Sequence, residues 1–140
     1  DHAERLDRSA RELARAATLC REAARLLETR PAAEVVNALA GIHERDLAHL
    51  RRLARRLGLD APTATRAHDA LDELDRARRR AGDAGVLAVV REVEVTGTRA
   101  YERLRDDPAL PGEVRTSARS ALDELHRRWR RLEDAARVAD

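Results

Sequence analysis

The sequence predicts an all-α protein: a four-helix bundle running up, down, down, up, with a helical crossover between the second and third long helices. Three observations predict it. Core-stripe positions recur at steps of three and four along four long segments, the period of a helix that buries one face. Hydrophobic residues make up 43% of the chain and charged residues 39%, but aromatics only 1%, with no Phe and no Met. A β-sandwich wants aromatic and β-branched strands, and this composition does not supply them. The prolines, finally, fall between the periodic segments rather than within them. A length of 140 residues fits one domain, 1–140, with enough chain to bury a core.

The first segment runs from about His2 to Glu28, with Leu6, Ala10, Leu13, Ala17, Cys20, Ala24 and Leu27 on its inner face. Pro31 opens the second, since a first helical turn tolerates a residue without an N–H. That segment extends to about Leu57 through Val35, Leu39, Ile42, Asp46, Leu50, Leu53 and Leu57, with Gly58 as a candidate C-terminal cap. Asp60-Ala61-Pro62 opens a shorter helix to about Ala81, with Ala67, Leu71 and Leu74 inward, and Gly82-Asp83-Ala84-Gly85 breaks it. The third long segment, about Val86 to Arg105, turns Val86, Val90, Val93, Gly97, Tyr101 and Leu104 inward. Asp107-Pro108 stops it and Pro111-Gly112 opens the fourth, which reaches about Val138 through Val114, Ala118, Ala121, Leu125, Trp129, Leu132 and Ala136.

Connection lengths set the order of directions. Two or three residues join the first two segments and about five join the last two, so each pair is antiparallel. The crossover helix of about 20 residues spans ~30 Å, most of the bundle's length. It carries the chain back before the third segment begins, so the third runs parallel to the second. That is the ferritin-like arrangement rather than a simple up-and-down bundle. The core is mostly Ala, Leu and Val, which leaves a thin core in a monomer and points to a homodimer that covers a further helix face.

Charge excludes some partners. Lys plus Arg is 28 and Asp plus Glu is 26, and every basic residue is Arg. Many arginines have an acidic residue four positions earlier: Asp7 with Arg11, Asp72 with Arg76, Asp75 with Arg79, Asp123 with Arg127 and Glu124 with Arg128. Such pairs mark solvated helix faces and not a phosphate-binding footprint, so no nucleic acid is expected. No apolar run approaches the ~20 residues of a membrane span, so no membrane is expected either. One Cys excludes a disulfide framework within the chain and a zinc site built on several cysteines. A cytoplasmic location is expected, although the chain starts at Asp1 without Met and leaves a removed N-terminal signal open.

Polar residues on core stripes carry the functional information. In His43-Glu44-Arg45-Asp46-Leu47-Ala48-His49, Asp46 lies near the centre of the apolar stripe, with His43 and His49 on its edges. Asp46-x-x-His49 is similar to the Glu-x-x-His of di-iron bundles. The third segment adds Glu94 beside its stripe, and the fourth adds Asp123-x-x-His126, of which Asp123 faces solvent and His126 sits at the boundary. A complete di-metal site also needs a carboxylate from the first helix, and that stripe has none. Two readings stay open. One is a structural cluster of His43, Asp46, His49 and Tyr101, because a buried carboxylate needs a partner. The other is a metal site made from Asp46, His49, Glu94 and His126, holding iron or zinc. Cys20 reads as a small core residue, and Tyr101 as a donor to Asp46 or Glu94 across the bundle. No P-loop, dinucleotide fingerprint, serine elbow or HExxH is present.

The stretch Val86-Leu87 through Glu94 to Arg99-Ala100-Tyr101, then Leu110-Pro111-Gly112-Glu113-Val114-Arg115, then His126 and Leu132, resembles a bacterial ferritin-like four-helix-bundle family of unknown function. The resemblance extends to Arg21-Glu22-Ala23-Ala24 and Arg55-Arg56-Leu57-Gly58. Arg56-Leu57-Gly58-Leu59-Asp60-Ala61-Pro62 is similar to a second, predominantly exported ferritin-like family of unknown function. The resemblance implies the fold and an ancestry in metal-binding bundles, and no activity. Glu94 and His126 match the recurring Glu and His of the first family, and Cys20 stands where that family has Tyr. The sequence thus reads as a non-catalytic bundle, a structural or protein-interaction module with no catalytic residue and no cofactor. The alternative is a metal-binding bundle with iron or zinc.

Overall fold

The computed structural model describes residues 2–58 and 68–139. Its helices are α1 His2–Leu26, α2 Arg30–Arg56, α3 His68–Asp106 and α4 Gly112–Ala139. The expected start of the crossover at Asp60-Ala61-Pro62, and its inward Ala67, lie outside the described residues. No helix among the described residues is long and apolar enough to cross a membrane.

The stripe of α1 is buried from Leu6 to Leu27 as its period requires. In α2, Leu39, Ile42, Asp46, Leu50 and Leu53 are buried and Val35 is half-buried, but Leu57 is 52% exposed. Leu57 continues the numerical pattern without continuing the helix. It is the cap residue, its N–H donating to the Leu53 carbonyl, and Gly58 beyond it takes a positive φ of 71°. That is the left-handed place after a helix end, where a glycine carries no Cβ penalty.

The expected break at Gly82–Gly85 is one residue wide. Gly82 alone leaves helical geometry, at φ 59° and ψ −142°, and helix resumes at Asp83. The reversal there is sharp. A Cβ built on Gly85 would lie 2.2 Å from the Ala77 carbonyl oxygen, although a straight helix holds residues eight apart at about 12 Å. Asp83 uses the bend. Its carboxylate accepts the backbone N–H of Glu28 at 3.0 Å and of Thr29 at 2.8 Å, which ties the α1–α2 connection to the start of 83–106. Burial works against this carboxylate, yet hydrogen bonds from the Thr29 side chain and from the Glu28 and Thr29 N–H groups prevail and hold its pKa below the ordinary value of 3.8.

Between α3 and α4, the Asp107 side chain accepts the Ala109 N–H at 3.0 Å and Arg115 Nε donates to the Arg105 carbonyl at 3.2 Å. Val114, Ala118, Ala121, Leu125 and Leu132 of α4 are buried and Trp129 is half-buried, while the Ala136 side chain lies outside what is described.

α1 packs on α2 and α3, and α4 packs on the same two helices. Around the bundle the order is therefore α1, α2, α4, α3, with α2 and α3 on the diagonal. Ion pairs fix the register between neighbours: Arg21 with Glu44 at 2.6 Å, Arg45 with Glu124 at 3.2 Å, Arg103 with Glu12, and Arg56 with Glu113. Of the expected pairs along single helices, Asp7–Arg11 closes to 2.9 Å, Asp75–Arg79 to 3.0 Å and Glu124–Arg128 to 3.8 Å. These exposed pairs contribute little energy each. The core of Leu, Val and Ala does the stabilising, and its many alanines let the helices approach closely.

Candidate functional site

The bundle centre holds a connected set of polar side chains on three helices. Cys20 comes from α1, His43 and Asp46 from α2, and Glu94 and Tyr101 from α3. The helical period explains the pairs: His43 and Asp46 are three apart and Glu94 and Tyr101 seven apart, so each pair shares a face. Because α2 and α3 are diagonal, these faces meet across the bundle axis. Gly97 lies between Glu94 and Tyr101 on this face; a Cβ there would stand 3.7 Å from His43 Cε1, in ordinary contact.

His43 is fully buried and bonded at both ring nitrogens. Nδ1 lies 3.1 Å from the Tyr101 hydroxyl and Nε2 lies 2.7 Å from Glu94 Oε1. The Tyr101 hydroxyl donates to Asp46 Oδ2 at 2.7 Å. A hydroxyl has one proton, so its oxygen accepts from His43 and Nδ1 carries hydrogen. Nε2 and Glu94 then hold one proton between them, either as imidazolium and carboxylate or as imidazole and carboxylic acid. Either way the pair has no net charge, which suits a site with exposures of 0% and 1%. The His43 and Tyr101 rings also stack, with centroids 5.9 Å apart.

Both ends of the set differ. At the inner end the Cys20 thiol donates to Glu94 Oε1 at 3.4 Å. Burial pushes the Cys20 pKa well up, and the Glu94 charge adds to this, so the group is a thiol. At the outer end Asp46 Oδ1 lies 3.5 Å from Arg45 Nε, and Arg45 reaches on to Glu124. Burial, with the neighbouring Asp46 charge, raises the Tyr101 pKa well above its ordinary value, so its hydroxyl keeps its proton. A cavity of about 20 Å³, room for one water, adjoins Asp46 and Tyr101. Among the described residues, the buried side-chain nitrogen or oxygen without a partner is Arg128 Nε, which is not part of this set.

The structure brings together His43, Asp46 and Tyr101 of the expected structural cluster. His49, the fourth, is half-buried and pairs with Arg52 through Nδ1 at 3.2 Å. Of the four expected metal ligands, Glu94 lies in the centre and Asp46 one hydroxyl away from His43. His126 is exposed and lines a groove on the outside with Val95 and Trp129. The dinuclear site of ferritin-like bundles takes carboxylates from all four helices and two histidines. The described centre, with Cys20 from α1, does not fit that group. The one set of metal-ligand atoms that converges among the described residues is Cys20, His43 and Glu94, within 4.8 Å of one another. Sequence reasoning placed Cys20 in the core but not beside Glu94. The signal available was its α1 stripe position; the register of α1 against α3 was not.

Fold and site together define an all-helical protein whose core is crossed by a hydrogen-bonded chain from thiol to carboxylate. No family model, curated protein or solved structure matches the chain.

Proposed function

We propose that the chain is a ferritin-like bundle of non-catalytic type, a structural or protein-interaction module that works as a homodimer. Support for the topology comes from contacts at the two ends. Asp83 joins the α1–α2 connection, so 83–106 and α2 start at one end, and Arg56 with Glu113 marks the other. These contacts support the up, down, down, up order, with 68–81 read as the returning part of the crossover. The non-catalytic reading rests on access. The thiol, imidazole and carboxyl groups of the centre are sealed, and no substrate-sized molecule reaches them.

One surface observation carries the dimer. Val95 is 44% exposed, and beside it a groove of about 290 Å³ runs between α3 and α4, lined by Trp129, Leu125, Arg99 and Glu102 among others. Val95, Arg99 and Glu102 follow at steps of four and three, so they share one face of α3. A second copy related by a twofold axis sets Arg99 against the other copy's Glu102 and Glu102 against its Arg99, while Val95 and Trp129 close the apolar centre. The face is thus complementary in charge to itself.

Sedimentation over a wide concentration range tests this, with emission from Trp129, the chain's single Trp, as a local probe. The expected result is a monomer–dimer equilibrium, a blue shift of Trp129 on association, and loss of both in Val95→Arg. A native protein that stays monomeric, or a Val95→Arg variant that dimerises unchanged, overturns the reading.

A further inference from the structure

We propose that Cys20, His43 and Glu94 form a mononuclear site for a borderline-soft divalent cation, zinc above all. This goes beyond the dimer reading and does not depend on it. Ligand type comes first. A thiolate, an imidazole and a carboxylate are the three side chains that bind zinc, and α1, α2 and α3 deliver one each to a common point. The dinuclear carboxylate chemistry of metal-binding bundles has no use for the thiol.

Spacing comes second. Zinc bonds of about 2.0–2.3 Å at tetrahedral angles set neighbouring donor atoms roughly 3.3–3.6 Å apart. Cys20 Sγ and Glu94 Oε1 already stand at 3.4 Å. His43 Nε2 and Glu94 Oε1 stand at 2.7 Å, the separation held by the proton between them, and need to part by about half an ångström.

The tautomer comes third. Tyr101 accepts from Nδ1–H and donates its own hydrogen bond to Asp46, so Nε2 is the nitrogen with the lone pair once the shared proton leaves. A ligating histidine is held in this way, by a carboxylate on its far nitrogen, here through a tyrosine. Tyr101 and Asp46 are positioning residues for the site.

Charge decides the case. Without metal the three groups carry a thiol proton and one shared proton and are neutral. With zinc they carry one thiolate, one carboxylate, a neutral imidazole and an ion of charge +2, and are again neutral. Binding exchanges one cation for two protons and leaves no net charge on the three ligands and the ion together, which is the condition a sealed site must meet. One coordination position remains for a water. Since the ligands are sealed, the ion enters through local opening of the bundle, and uptake and release are slow.

Cobalt(II), which reports its ligands through its colour, is the first probe, added to chelator-treated protein and then displaced with zinc. One equivalent is expected to give a thiolate-to-cobalt charge-transfer band and the intense visible bands of a four-coordinate ion, and zinc to remove both. Zinc uptake in weak buffer is expected to release about two protons per ion. Cys20→Ser should lose the charge-transfer band, and Tyr101→Phe should keep it but bind zinc about 10–100-fold more weakly. Circular dichroism of each variant shows whether it has folded. If Cys20→Ser does not fold, the band and the proton count of the native chain decide alone. Cobalt held without a thiolate band in the native chain, as exposed histidines such as His126 would hold it, overturns the site. So does zinc bound equally tightly by folded Cys20→Ser.

Discussion

Tyr101→Phe removes a single oxygen from the centre and tests how the core is held together. The ring stays, so packing against the surrounding leucines changes little, and two groups lose their partner. His43 Nδ1–H is in a fully buried residue and its partner is the Tyr101 hydroxyl, and leaving such a donor unpaired costs roughly 1–3 kcal/mol. Asp46 Oδ2 is better placed. Asp46 is 5% exposed and the cavity of about 20 Å³ beside it admits one water, which replaces the lost donor in part. Its share is about 1 kcal/mol. The sum is about 2–4 kcal/mol, a fall in Tm of roughly 6–15 °C for a chain of this size. Urea unfolding followed by circular dichroism reads the first figure and calorimetry the second. The same measurement in an Asp46→Ala background supplies a cycle, and residues in direct contact should couple by about 0.5–3 kcal/mol. A cost below about 1 kcal/mol, or strict additivity with Asp46→Ala, refutes the idea that the hydroxyl joins α2 to α3.

Three further outcomes follow from other parts of the fold. Asp83→Ala removes two charged hydrogen bonds from the α1–α2 connection and should cost about 1–3 kcal/mol at neutral pH. Because the folded pKa of Asp83 lies below its ordinary value, its contribution is present above pH 3.8 and is lost as pH falls through the folded value. The stability difference between native chain and variant should therefore shrink as the pH falls through and below 3.8; a gap that does not shrink in acid contradicts the clamp. Gly82→Ala meets no steric neighbour but must adopt φ 59° and ψ −142°, at about 1–3 kcal/mol, and an unchanged Tm would show that the bend is not where the structure has it. His43→Ala takes the proton-sharing partner from the buried Glu94 carboxyl, which keeps only the weak thiol donor Cys20, and a donor from the Tyr101 oxygen, which keeps its bond to Asp46; it should cost about 3–5 kcal/mol, while Glu94→Gln, which keeps a hydrogen-bonding partner for Nε2, should cost clearly less.

The helices were legible because one face of each is apolar at the helical period, and burial from Leu6 to Leu27 and from Val114 to Leu132 follows that period. Leu57 broke the pattern because periodicity does not say where a helix ends; the positive φ of Gly58 does. The same limit applied at Gly82–Gly85, where four breaker-like residues marked a bend that a single glycine makes.

In the site, Asp46 was legible as a carboxylate on an apolar stripe, and its bond to Tyr101 as one of two partners within reach. His43 looked like a stripe edge and turned out fully buried, because a helix with neighbours on two sides and a partner on the diagonal buries more than its centre line. His126 is exposed on the outside, while His49 is half-buried beside the small cavity next to Asp46 and pairs with Arg52. What one helix contributes can be read from its own period. Which residue it meets depends on the axial register between helices, and no single helix encodes that. Cys20 beside Glu94 is the clearest case, since the two are 74 positions apart and joined only by the packing of α1 on α3.

The central claim is that His43 is locked, Nδ1–H toward Tyr101 and Nε2 toward Glu94, within one chain of hydrogen bonds. Nitrogen-15 NMR of the histidine side chains tests it most directly, in the native chain without metal. The account predicts one histidine of five with a slowly exchanging proton on Nδ1, in magnetisation contact with the Tyr101 ring, its signals lost or shifted in Tyr101→Phe. Five histidines that all average between tautomers and exchange freely with water, as an exposed His126 does, would contradict it.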